Sequence, residues 1–209
     1  MKKLFLASSI CDTAKAIAKD IGLKNSKVLF ITTASEIERG PLDWQNDDKN
    51  GLVNAGFKVS EFTFTGKTKD EIENAIKEND IVHINGGNTF YLLEKMRQSG
   101  ADKIIKNAVE NGKIFTGSSA GSIIAGPDIY PARIGDDMSV APNLTNYKGL
   151  ELVDFVVFPH WGSEFFKVAY ENKTIEHTYN SEHKMILLND YQYVKVIDDM
   201  YKIEEIPHK

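Results

Sequence analysis

The stretch Lys113-Ile114-Phe115-Thr116-Gly117-Ser118-Ser119-Ala120-Gly121-Ser122-Ile123-Ile124-Ala125 holds a complete structural transition. Lys113 to Thr116 reads as a short buried strand. Gly117 to Gly121 is too rich in small residues to continue it and reads as a sharp turn. A helix is expected to start just after Ser119. Gly117-Ser118-Ser119-Ala120-Gly121 fits the G-x-S-x-G frame, in which a serine hydroxyl is lifted clear of a strand-to-helix turn. The frame alone is a weak signal, because glycine and serine are common. The strand before it and the small, apolar segment after it supply the context it needs. An ordinary Gly/Ser turn is the competing reading.

Outward from this turn the chain alternates strands and helices. Strands are expected at Lys3 to Ala7, Lys27 to Thr32, Lys58 to Phe64 and Asp80 to Asn85. Helices are expected at Asp12 to Ile21, Trp44 to Ala55, Lys69 to Glu78, Thr89 to Gln98 and Ala101 to Glu110, several closed by glycine. This order predicts a single α/β domain, residues 1–209, with a mostly parallel sheet covered by helices on both faces. Pro127 to Gly149 has no clear period, and a connector of that length is usually functional. Phe155 to Phe158 reads as a strand, Glu164 to Tyr179 as a helix, and the chain from Lys184 on as β-rich, with a turn at Asp198-Asp199.

Composition narrows the function. The 209 residues are 42% hydrophobic and 26% charged, with a net charge of −5, so nothing calls for nucleic acid. No apolar run is long enough to span a membrane, and the N-terminus lacks the apolar core of a secretory signal. A single cysteine, Cys11, excludes an intrachain disulfide. The expectation is a cytoplasmic protein.

A nucleophilic Ser119 needs a base. Among the five histidines, His177, His183 and His208 sit in polar or terminal segments, and His83 lies in an apolar strand where a core role is the default. His160 follows the strand ending at Pro159. The C-terminal ends of parallel strands gather at one edge, so His160 and Ser119 should share it. Asp136 and Asp137, in the connector, are candidates for the acid that orients the base. Asp128, Asp154 and Glu164 are rivals, and chain order does not choose among them. Asn85-Gly86-Gly87-Asn88-Thr89 also joins a strand to a helix. Its backbone N–H groups are candidates for an oxyanion site with that of Ala120; the plainer reading is a helix entry capped by Asn88 or Thr89.

Gly86-Gly87-Asn88-Thr89-Phe90, the Gly117–Gly121 frame, Asp136-Asp137-Met138 and Pro159-His160 occur in an order that resembles peptidase family S51, the dipeptidase E and cyanophycinase group. The resemblance covers about three-quarters of the chain. It implies a flavodoxin-like fold of the class I glutamine amidotransferase type. It implies Ser119 as nucleophile, His160 as base, Asp137 as acid, and Gly87 and Ala120 as the oxyanion hole, with no metal or organic cofactor. A small peptide is the implied substrate. Gly86, Asn88 and Thr89 are expected to line its site, and a monomer or homodimer is expected. Aspartate-specific relatives use an arginine beyond the catalytic histidine, whereas this chain has no arginine after Arg133. Lys167 is the candidate substitute, without the bidentate fork of arginine. The rival readings are an esterase, an amidohydrolase acting on a metabolite, and an inactive binding protein.

Overall fold

The computed structural model describes residues 1–22, 25–164, 167 and 182–207. Its main sheet has seven strands in the order β3-β2-β4-β5-β1-β8-β9. β1 (Lys3–Ala7), β2 (Lys27–Ile31), β3 (Lys58–Phe62), β4 (Ile81–Ile84) and β5 (Ile114–Ser118) are mutually parallel. β8 (Gln192–Ile197) runs antiparallel to β1, and β9 (Met200–Glu205) returns along β8 as a hairpin.

Alternation along the strands explains why both faces are covered. Leu4, Leu6, Leu29, Ile31, Val82, Ile84 and Phe115 pack on one side. They meet Ile72 and Ile76 of α3 (Lys69–Glu78), Leu92 and Leu93 of α4 (Thr89–Ser99), and Ile105 and Val109 of α5 (Ala101–Glu110). Phe5, Ala7, Val28, Phe30, Ile81 and Ile114 face the other way. There they meet Ile10, Ala14 and Ile17 of α1 (Ile10–Ile21) and Leu52 of α2 (Asp43–Asn54). Successive side chains of a strand point to opposite faces, so nearly continuous apolar runs bury both. The expected mostly parallel α/β sheet is the fold observed.

Two expectations change. The strand at β6 (Phe155–Phe158) does not join the main sheet; it pairs in parallel with β7 (Lys184–Leu187) in a two-stranded sheet of its own. The helix after Ser119, α6 (Ala120–Ile123), is a single turn, because Gly126-Pro127 follows after only Ile124 and Ala125. The helix expected at Glu164 to Tyr179 falls mostly outside the described residues. Among the described residues no helix is long and apolar enough to cross a membrane.

The 127–149 connector holds two short 3-10 turns, Tyr130–Ile134 and Met138–Val140, and α4 fastens it at four points. Asn88 Nδ2 donates to Asp137 O at 3.0 Å, and the Thr89 N–H donates to Asp136 Oδ2 at 2.8 Å. The Asn143 N–H donates to Glu94 Oε2 at 2.8 Å. Arg97 donates to Asn146 O and Oδ1, each at 2.7 Å, and to Lys148 O at 2.8 Å.

Candidate active site

Ser119 sits between β5 and α6 with φ 51° and ψ −115°. A non-glycine residue rarely adopts such a conformation, and it persists only where its surroundings enforce it. Here the two flanking glycines do so. A Cβ on Gly117 would lie 2.3 Å from Gly121 O, and one on Gly121 would lie 1.8 Å from Ile84 O. The turn is therefore pressed onto itself and onto β4 with no room for side chains. The Ser119 N–H is held by Ala7 O at 3.2 Å and Ser8 O at 3.1 Å, at the end of the neighbouring β1.

His160 meets Ser119, but it does so from the separate β6–β7 sheet rather than from the edge of the main parallel sheet. Its Nε2 lies 3.0 Å from Ser119 Oγ. His160 also has a positive φ, 60°, which turns the chain sharply after Pro159. Its other ring nitrogen, Nδ1, lies 2.6 Å from Asp190 Oδ1. The pairing follows from register. β6 and β7 place Phe158 beside Leu187, and the ladder continues through Leu188 N–H to Phe158 O and Trp161 N–H to Leu188 O. Residues two or three positions further on, His160 and Asp190, therefore emerge side by side.

Asp137, the acid that the family resemblance implied, is elsewhere. Its exposed carboxylate accepts the Ser139 N–H at 2.8 Å and caps the second 3-10 turn. Ser139 hydrogen bonding holds its carboxyl below the usual range. A local turn has claimed the side chain, as aspartate commonly allows.

Ser8 was not anticipated. Its hydroxyl donates to Asp190 Oδ1 at 2.8 Å and accepts the His160 N–H at 2.7 Å, tying both residues to the end of β1. Burial would raise the Asp190 carboxyl. The hydrogen bond and charge of His160, with the Ser8 hydroxyl, outweigh it and hold the group below its ordinary value.

Gly87 lines the same cleft as Ser119, with φ 124°, on the β4–α4 turn. A Cβ there would lie 2.3 Å from Ala34 O, so the turn admits only glycine. Ala120 follows Ser119 directly and is buried. A helix dipole lends little support here, because α6 is one turn long. Gly86 lies against the nucleophile turn: a Cβ there would stand 3.4 Å from both Ser119 Cβ and Trp44 Cζ3. That contact brings half-exposed Trp44, another residue the sequence did not signal, to the rim. Asn88 caps α4 by accepting the Tyr91 N–H at 2.9 Å, while Thr89 lines the cleft. Lys167 is exposed and pairs with Glu164 at 3.5 Å. It is not among the described residues that line the cleft.

His83 has the core role expected of it. It is fully buried, stacks on Phe30 and contacts Thr116 Oγ1 at 2.8 Å, and burial pushes its pKa down to about 4. Among the described residues, no group of three or more His, Cys, Asp or Glu side chains is placed to hold a metal ion.

The comparisons with known proteins agree with this architecture. The family model for peptidase family S51 matches residues 4–204. An uncharacterized peptidase of Listeria monocytogenes is 35% identical over 183 residues, covering 87% of this chain and 89% of its own. An uncharacterized peptidase of Pasteurella multocida is 31% identical over the full length of both chains, 100% of each. A 1.5 Å crystal structure of a candidate peptidase E protein from Listeria monocytogenes EGD-e superposes with a TM-score of 0.88. It is 30% identical and covers 99% of this chain and 100% of that one. A nucleophile-type turn at Ser119, a histidine beside it and a family match along nearly the whole chain lead to one assignment: this chain belongs to peptidase family S51 and is a serine peptidase.

Proposed function

We propose that the protein hydrolyses small peptides by acyl transfer through Ser119, His160 and Asp190. One observation carries the reading: the unbroken line from Ser119 Oγ to His160 Nε2 at 3.0 Å and from His160 Nδ1 to Asp190 Oδ1 at 2.6 Å. Asp190 keeps the imidazole proton on Nδ1, which leaves Nε2 free to accept. His160 removes the Ser119 proton as Oγ attacks the carbonyl carbon. The oxyanion forms between the N–H groups of Gly87 and Ala120. His160 then protonates the leaving amine, and water attacks the acyl-serine with the same histidine as base. Ser8 acts through its neighbours, fixing the distance between His160 and Asp190. The described residues lining the cleft include no lysine or arginine, so cleavage after an N-terminal aspartate draws no support from its walls.

The test is a panel of aspartyl and non-aspartyl dipeptides with the wild type and Ser119→Ala. Turnover of at least one dipeptide should fall by ~10⁴-fold in the variant. Equal rates for the two proteins would remove Ser119 from the mechanism. Failure of wild-type Ser119 to react with a fluorophosphonate would favour an inactive binding protein.

A further inference from the structure

The cleft described above occupies one flank of the nucleophile turn. Its wall comes from α6, the connector and the segment before His160, on the sheet face that carries α3, α4 and α5. The other flank belongs to α2, on the opposite face, where Leu52 packs with α1. There half-exposed Trp44 stands at the rim, with the Gly86 turn between it and Ser119. A Cβ on Gly86 would lie 3.4 Å from both Ser119 Cβ and Trp44 Cζ3, so the indole edge and the nucleophile are no more than twice that distance apart. Gly86 has no positive φ, and the contacts such a Cβ would make are ordinary ones. Neither backbone conformation nor crowding demands glycine here, unlike at Gly87, whose Cβ would strike Ala34 O. What the glycine preserves is open space between Ser119 and the indole. The indole is firmly mounted. Ser35 Oγ donates to Gln45 Oε1 beside it, and Gly51 seats α2 against α1, where a Cβ would lie 2.9 Å from Cys11 Cα.

We infer that Trp44 forms the subsite for the side chain of the residue that supplies the leaving amine, and that it favours an aromatic side chain there. This rests on the reading of Ser119 as nucleophile. The attacked carbonyl carbon carries the acyl residue on one side and the leaving nitrogen on the other. A substrate whose acyl residue lies in the cleft therefore projects its leaving residue over Gly86. His160, which protonates that nitrogen, stands between the two flanks. Its charge is felt by Asp136 in the cleft and by Asp48 of α2, about one helical turn beyond Trp44. An extended residue spans about 3.5 Å, so the leaving side chain begins within reach of the indole. Stacking there removes apolar surface of both rings from water and adds the preference of aromatic pairs for each other. Trp44 is a specificity residue and takes no part in the proton transfers.

The experiment compares kcat/KM for two dipeptide amides, Xaa-Phe amide and Xaa-Gly amide, where Xaa is the acyl residue turned over fastest in the dipeptide panel. The amides keep C-terminal charge out of the comparison, and kcat/KM senses every contact made up to the transition state. The wild type should prefer the Phe amide by ~10-fold, the scale of one aromatic pair with its buried area. In Trp44→Ala the ratio should fall toward unity, whereas Trp44→Phe should keep most of it. Gly86→Ala, which puts a methyl group into the gap without backbone strain, should lower the ratio as well, and it decides if Trp44→Ala does not fold. A wild-type ratio near unity, hydrolysis of neither amide, or an unchanged ratio in these two alanine variants would overturn the inference. An equal loss on both amides, the mark of a merely structural role, leaves the ratio unchanged and so counts against it. Hydrolysis by Ser119→Ala at the wild-type rate would instead overturn Ser119 as nucleophile, so the two failures are distinct.

Discussion

Replacing Asp190 with asparagine removes one charge and little volume. During acyl transfer His160 becomes an imidazolium, and Asp190 Oδ1 faces its Nδ1 at 2.6 Å. Both charges are spread over several atoms, so their centres lie roughly 4 Å apart. At an effective dielectric of about 20, that pair is worth about 4 kcal/mol. At 1.36 kcal/mol per decade the loss in kcat is ~10³-fold. Asparagine can also turn its amide N–H₂ toward Nδ1 and favour the tautomer in which Nε2 carries the proton and cannot accept one. This extends the expected loss toward ~10⁴-fold. The assay is steady-state hydrolysis of the best dipeptide, with Asp137→Asn measured in parallel. Asp137 lies on a turn and touches Ser139 rather than His160, so its variant should stay within about threefold of wild type. Near-wild-type turnover by Asp190→Asn, or an equal collapse in Asp137→Asn, would refute the assignment of Asp190.

Two further substitutions probe the scaffold. Asp48 of α2 is buried with its Oδ1 on the Cys11 N–H, and burial pushes its pKa from the ordinary 3.8 up to about 7. The folded state therefore favours the neutral acid. Stability falls as pH rises from about 4 to about 7, by roughly 4 kcal/mol in all. Asp48→Asn should be little changed at pH 4 and gain on the order of 10 °C in Tm at pH 8 relative to wild type; equal shifts at both pH values would contradict this. Gly87→Ala forces a Cβ into Ala34 O at a φ of 124°. It should lose about 2 kcal/mol or more of stability in chemical denaturation and ~10²-fold in kcat, as the N–H proposed to hold the oxyanion is displaced.

Much of this was legible because it is local. The apolar strands, the helix stops at glycine and the crowded Gly117–Gly121 turn each follow from neighbouring residues. His160 was legible from its place at a strand end. Asp190 stands in the same relation to β7, yet its partnership with His160 depends on a β6–β7 register set across 30 positions of sequence. Chain order drew attention to the carboxylates between Ser119 and His160. Asp137 fitted the family pattern, but nothing local to it revealed that Ser139 would take its carboxylate. Ser8 and Trp44 reach the site only through tertiary contacts, β1 against β5 and α2 over the Gly86 turn. The brevity of α6 was readable from Gly126-Pro127 and outweighs the helix-forming look of Ser122 to Ala125.

The fastening of the 127–149 connector to α4 separates what is inherited from what can drift. The reacting groups hang from strand ends and answer to sheet register. The opposite wall, from Pro131 to Asp136, belongs to a connector that Asn88, Thr89, Glu94 and Arg97 hold like rungs on one rail. Substitutions between those rungs can reshape what enters the cleft while the geometry that cleaves it stays in place. Within this fold, preference and chemistry are therefore free to evolve at different speeds.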